Sequence, residues 1–198
     1  MKRSDGNKRK ALKIRPDWHW ITSIFAATIG ISASMSFFSN ELLSGGTLAL
    51  SFFVLFVIVL IGIVFDIIGV SVTAADEKPF HSMAAKKMPE AKEALRLLRS
   101  AERVSSFCND VVGDICGVIS GSASAVIAAR AIVGMEPVLG RVVQLLMSAV
   151  VAAITVGGKA FGKSIAMNNS TVIIHASAKV IYAVKSLPAR LFRAHRAG

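Results

Sequence analysis

Residues 150–169 read VVAAITVGGKAFGKSIAMNN, and within them Gly157 to Ser164 matches the phosphate-loop pattern G-x-x-x-x-G-K-[ST] at every defined position. Read as a phosphate loop, the stretch belongs to an α/β nucleotide-binding protein. Read as the end of an apolar helix, it belongs to an all-α membrane protein. A working phosphate loop joins a buried strand to a helix inside a βαβ sheet and needs an acidic residue to hold Mg²⁺. Only 34 residues follow Ser164, and none of them is Asp or Glu. Upstream there is no strand–helix alternation, and the run 142–158 is one helix-length apolar segment of 17 uncharged residues. The helix reading wins, and the expectation is that no nucleotide binds here.

Composition carries the same reading outward. Of 198 residues, 54% are hydrophobic, and the mean hydropathy is +0.61. That is more apolar surface than a soluble domain of this size carries. Formal charge is +11, from 23 Lys+Arg against 12 Asp+Glu. After Glu136 no acidic residue remains while eight Lys or Arg follow, a bias suited to an anionic inner leaflet. Nucleic acid is the other common partner of a basic tail. Here the charges alternate with Val, Ile and Leu, so the membrane surface is expected and nucleic acid is not. Cys108 and Cys116 form no CxxC or Cys/His cluster and read as buried reduced thiols.

Four apolar segments follow in order. The basic arm 1–20 ends in Trp18 and Trp20, and 21–40 is then uncharged for twenty residues, enough to cross about 30 Å of hydrocarbon. A signal peptide is the alternative there, but the run is long for one. The stretch 42–65 is again uncharged. The third segment, FCNDVVGDICGVISGSASAVIAA, carries Asn109, Asp110 and Asp114, with Gly113, Gly117 and Gly121 at intervals of four. A small-xxx-small stripe lets a neighbouring helix approach closely. The fourth is 142–158. Segments this polar or short must pack inside a bundle or line a cavity.

Amphipathic stretches flank them. In PEAKEALRLLRSAERV, Ala91, Ala94, Leu95, Leu98 and Ala101 oppose Lys92, Arg96, Arg99 and Arg103, the pattern of a helix lying on the membrane surface. In the tail, Ile173, Ile174, Val180, Ile181, Val184 and Leu187 oppose His175, Lys179, Tyr182 and Lys185, and His175 reads as a solvated face residue. Basic residues flank the bundle at the arm, at 78–103 and in the tail, while the turns near Glu41 and Glu136 are poor in them. Four crossings with both termini cytoplasmic, in a plasma or inner membrane, satisfy this distribution. No enzyme is expected, because His19, His81, His175 and His195 all fall in tails or surface segments.

The order of these features resembles the transmembrane domain of the CNNM/CorC magnesium and cobalt transporters. The family motif F-S-G-S-E falls on Phe65, Asp66, Ile67, Ile68 and Gly69. The family's basic helix falls on AAKKMPEAKEALRLLRSAERV, and its G-E-x-x-P-K-x-x-A falls on Gly158 to Ala166. The resemblance implies a homodimer, with 47–190 as the shared transmembrane domain. Within it lie juxtamembrane helices 80–105 and 170–187. Residues 21–46 then form an extra front helix and turn, and 191–198 a basic tail, with no soluble domain of the kind long relatives carry.

In the family, hydroxyls and carboxylates of these motifs hold dehydrated Mg²⁺. Here Ile68, Gly69 and Lys159 stand where a Ser and two Glu are expected, and Asp66 stands at the first Ser. Magnesium wants near-octahedral oxygen. At about 4 Å and an effective dielectric near 20, an ammonium repels a unit charge by on the order of 4 kcal/mol, doubled for a divalent ion. Two readings follow. Either a cation site for Mg²⁺ is rebuilt around Asp66, Asn109, Asp110 and Asp114, or Lys159 replaces the metal by pairing with a buried Asp. In the second reading the protein is a non-transporting partner or scaffold. Interfacial solvation of the aspartates is the plainer alternative to both.

Overall fold

The computed structural model describes residues 18–195; the expected basic arm before Trp18 and the last three residues of the basic tail lie outside them. The described residues are all-α, in the order α1 (Trp18–Gly45), α2 (Leu48–Ala74), α3 (Lys78–Ala85), α4 (Ala91–Arg99), α5 (Ala101–Ser106), a π-helical segment (Phe107–Gly113), α6 (Asp114–Ala131), α7 (Pro137–Asn168) and α8 (Ser170–His195). Four helical spans are long and apolar enough to cross a membrane: α1, α2, the run Ala101–Ala131, and α7.

Capping sets the helix starts at one end of the bundle. Thr47 is extended and its hydroxyl accepts from the Leu50 N–H at 3.4 Å, while the Glu136 carboxylate accepts from the Leu139 N–H at 3.1 Å with Pro137 next in the chain. Such side chains satisfy N–H groups that have no partner inside the helix.

The most apolar span, α2, is the hub. It supplies Ile58 to one core with Val111, Val112, Ile115 and Ile119. It supplies Leu55 and Val59 to a second core with Leu43, Ala123 and Ile127. Val72 joins a third with Phe80, Ala94, Leu98, Ile174 and Ala178. Gly62 faces Cys116 and Gly69 faces Asn109, so α2 and α6 run antiparallel; Gly158 faces Ile63 and Gly162 faces Ile67, so α2 and α7 run parallel. The Arg103 guanidinium lies 5.2 Å over the Trp20 ring, a cation–π contact that ties the start of α1 to α5. The start of α1 and the end of α7 thus share one end of the bundle with α3–α5.

Burial is unequal, and it does not follow the hydropathy order. The run Ala101–Ala131 is less apolar than α2 yet is the best buried of the four, whereas α1 buries almost nothing. Polar groups are tolerated at membrane depth only when protein surrounds them. Phe25, Phe37, Phe38, Leu145, Leu146 and Ile154 point outward from α1 and α7, and hydrocarbon is the natural solvent for such faces.

Several boundaries differ from the pattern in the sequence. Helix α2 runs through Asp66 to Ala74, because a helix does not stop at a charge that the bundle can surround. The amphipathic stretch breaks at Ser100 (φ −113°, ψ 29°) into α4 and α5. Of the three-glycine stripe, Gly113 alone is closely packed; Gly117 and Gly121 have no neighbour within 4 Å of where a Cβ would sit. In the regular α6 that follows Gly113, a spacing of four residues overshoots one turn by about 40°, so each successive glycine rotates further from the packed position of Gly113.

Candidate functional site

The polar seam lies between α2, the π-helical segment and α7. Asp66 is buried in α2, with its side chain 6% exposed. It sits eight residues before Ala74, which at 1.5 Å per residue is about 12 Å inside the bundle end. The Lys159 ammonium of α7 lies 4.0 Å from Asp66 Oδ1 and 3.8 Å from Asp114 Oδ1. It also donates a hydrogen bond to the Gly113 carbonyl oxygen at 3.1 Å.

Small residues make this arrangement fit. A Cβ on Gly162 would lie 2.7 Å from Ile67, so glycine there lets α7 approach α2 beside Lys159. A Cβ on Gly113 would lie 3.3 Å from Lys159 Nζ and 3.8 Å from Asp66 Oδ1, filling the space in which the three groups meet.

One turn nearer the bundle end, Asn109 sits directly against Gly69 and donates from Nδ2 to Ser105 Oγ at 3.2 Å. Two buried oxygens of the seam, Asp66 Oδ2 and Asn109 Oδ1, accept no hydrogen bond from the described residues. Asp110 is turned aside: its Oδ2 accepts from Ser106 Oγ at 2.6 Å. With Thr73, Glu102 and Ser105 it lines a separate polar hollow of about 570 Å³.

The structure therefore joins Asp66 and Asp114 to Lys159, leaves Asn109 a turn away, and puts Asp110 elsewhere. The Gly113 carbonyl completes the set. Sequence pattern could not single it out, because every residue carries a carbonyl and the π-helical turn decides which one faces the lysine.

These groups fit a monovalent organic cation better than a metal. An ammonium has three donors and no acceptor; here it donates one hydrogen bond, to the Gly113 carbonyl, and lies within ion-pair distance of Asp66 Oδ1 and Asp114 Oδ1. A Mg²⁺ shell wants six oxygens at about 2.0–2.1 Å. Among the described residues no group of three or more His, Cys, Asp or Glu side chains is disposed to hold a metal ion.

A second polar constellation clasps α4 to α8. Ile174 and Ala178 of α8 dock on Phe80, Ala94 and Leu98. That docking brings His175 Nε2 to 3.3 Å from Glu90 Oε1 and Lys185 Nζ to 2.6 Å from Glu93 Oε2. His175 is consequently part-buried against a carboxylate rather than solvated, because the face that α8 buries is centred on Ile174.

A backbone hydrogen bond, with His175 and Lys179 beside it, holds the Glu90 carboxyl below its ordinary value of 4.5, and burial opposes them only in part. A depressed carboxyl pKa gives stability that is present above the unfolded value and lost as pH falls through the folded one. The protection of α8 amides, taken relative to the intrinsic exchange rate at each pH, should therefore fall as pH drops below about 4.5, and less so in Glu90→Gln. Equal loss of protection in both proteins would remove Glu90 as the cause.

The stretch that matched a phosphate loop, Gly157 to Ser164, lies within α7. Its backbone N–H groups point along the helix to carbonyls four residues back, and so do not form a concave cradle. Comparison with protein-family models, with curated proteins and with solved structures finds no match.

Proposed function

We propose that this chain is a multi-pass integral membrane protein on a CNNM/CorC-like transmembrane plan, with Lys159 standing as a fixed cation where those transporters hold Mg²⁺. On this reading it is a non-transporting membrane scaffold or partner subunit and not an enzyme. The observation that carries the proposal is the Lys159 ammonium between Asp66 and Asp114, bonded to the Gly113 carbonyl. The alternation of α1, α2, α6 and α7 supports four crossings. Lys86, Lys87, Lys92, Arg96, Arg99 and Arg103, near the end shared by α1 and α7, support cytoplasmic termini.

A second copy is the fitting cover for α6. Asp114 is 74% exposed at membrane depth, and Gly117 and Gly121 beside it are open. A homodimer would shield that carboxylate from lipid.

A second reading, cation transport through a rebuilt site, is favoured by the two unpartnered oxygens, Asp66 Oδ2 and Asn109 Oδ1. The thermal stability of the purified protein across Mg²⁺, Co²⁺, Mn²⁺ and Na⁺ separates the two. The fixed-cation reading expects no selective shift, and selective stabilisation by one divalent ion would replace it with the transport reading.

A further inference from the structure

We infer that the outer face of α4 is a binding site for the phosphate of an anionic membrane lipid, kept available by the ion pairs that α8 makes with α4's own acids. Lys92, Arg96 and Arg99 follow i, i+4, i+7 spacing and therefore share one face. All three are exposed, and with Leu95 and Ser100 they line a surface hollow of about 570 Å³.

Charge complementarity identifies the occupant. A helix with Glu93 three residues before Arg96 would ordinarily neutralise part of its own positive face. Here Glu93 is held by Lys185 at 2.6 Å and Glu90 by His175 at 3.3 Å, both on α8. Glu102, the next acid along the chain, lines the separate hollow with Asp110. No ion pair engages Lys92, Arg96 or Arg99 among the described residues, so three cations converge without an internal counterion. Two guanidinium forks beside an ammonium match the several oxygens of a phosphate.

Position selects a lipid as the source. The buried face of α4 packs with Val72, two residues before the end of the spanning helix α2. That places its cations near headgroup depth, and Leu95 gives the hollow an apolar wall beside them. This inference rests on the reading that the bundle spans a membrane. Release of the protein from membranes by alkaline carbonate would overturn that reading separately.

The test uses the full chain in dodecyl maltoside. Dioctanoyl phosphatidylglycerol and dioctanoyl phosphatidylcholine are titrated against it, and bound lipid is read by native mass spectrometry. Phosphatidylglycerol is expected to bind in preference to phosphatidylcholine. Each charge removed should weaken it about five-fold, the equivalent of about 1 kcal/mol per basic residue near an anionic surface. Arg96→Gln with Arg99→Gln should therefore lose about 25-fold with an unchanged melting temperature, since neither side chain forms an ion pair among the described residues.

Lys185→Gln should also weaken binding by releasing Glu93 toward Arg96. Adding Glu93→Gln to it should restore binding, while Glu93→Gln alone should leave binding unchanged because Lys185 already holds that carboxylate; a simple dependence on net charge would instead make the single variant bind more tightly. Undiminished binding in the double arginine variant would overturn the site. Phosphatidylcholine binding as well as phosphatidylglycerol would do the same. Inorganic phosphate or a poly-glutamate peptide competing at the lipid's own affinity would overturn the lipid assignment. Failure of Glu93→Gln to restore Lys185→Gln would overturn the role of α8.

Discussion

Lys159→Glu is expected to destabilise the protein by at least about 3 kcal/mol when measured in chelator, the low end of what breaking a buried ion pair costs. The low end applies because the lysine side chain is 20% exposed. Two effects act in the same direction. Asp66, nearly fully buried, loses the ammonium at 4.0 Å, and a third carboxylate enters the space facing Asp66 and Asp114. The repulsion is strongest at Asp66, the least exposed of the three positions, where solvent screens the added charge least.

Mg²⁺ should then restore much of the loss in the variant, because carboxylates and the Gly113 carbonyl are hard oxygen ligands, and should leave the wild type unchanged. Lys159→Met should be destabilised through the first effect alone and should recover less with Mg²⁺. Thermal unfolding with and without Mg²⁺ reads all three proteins. Equal Mg²⁺ responses in wild type and Lys159→Glu would defeat the idea that the lysine occupies the ion's place.

Gly62→Ala should cost roughly 2–3 kcal/mol, the upper part of the range for overpacking a filled interior. The added Cβ would lie 2.9 Å from the Cys116 Cβ and 3.7 Å from its Sγ. A Cβ cannot rotate away, so α2 and α6 must separate. Because Asp66 lies one helical turn beyond Gly62, the separation should also lengthen the contacts of Asp66 and Gly113 with Lys159.

Gly157→Ala is the matched control. Nothing lies within 4 Å of its added Cβ, so helix propensity alone should stabilise it by about 0.5–1 kcal/mol. Chemical denaturation in mixed micelles would measure the difference, and a Gly62→Ala protein as stable as wild type would disprove the close α2–α6 approach.

The sequence by itself determined the class of the fold and the number of segments long and apolar enough to cross a membrane among the described residues. Length of uncharged run, the absence of strand–helix alternation around Gly157, and the charge bias of the segments between spans are local properties. A helix that satisfies its own backbone hydrogen bonds needs no distant partner to be legible. The buried face of α4 was equally readable, since Ala91, Ala94 and Leu98 repeat at helical spacing. Asp66, Asp114 and Lys159 stood out as charges in apolar runs, for which burial demands a partner.

Which partner each one took was decided only by the tertiary structure. Asp110 and Asp114 are equivalent in sequence, yet one meets Ser106 and the other meets Lys159, because the π-helical turn between them changes which side of the helix each presents. Gly113 and Gly117 belong to one stripe, yet one carries the lysine's acceptor and the other has no neighbour within 4 Å. His175 and Lys185 looked like members of a solvated face until the docking of Ile174 brought Glu90 and Glu93 across from α4. Helix periodicity is set by the backbone and can be counted along the chain. Pairing between helices depends on register and close approach, which residues far apart in the chain set jointly.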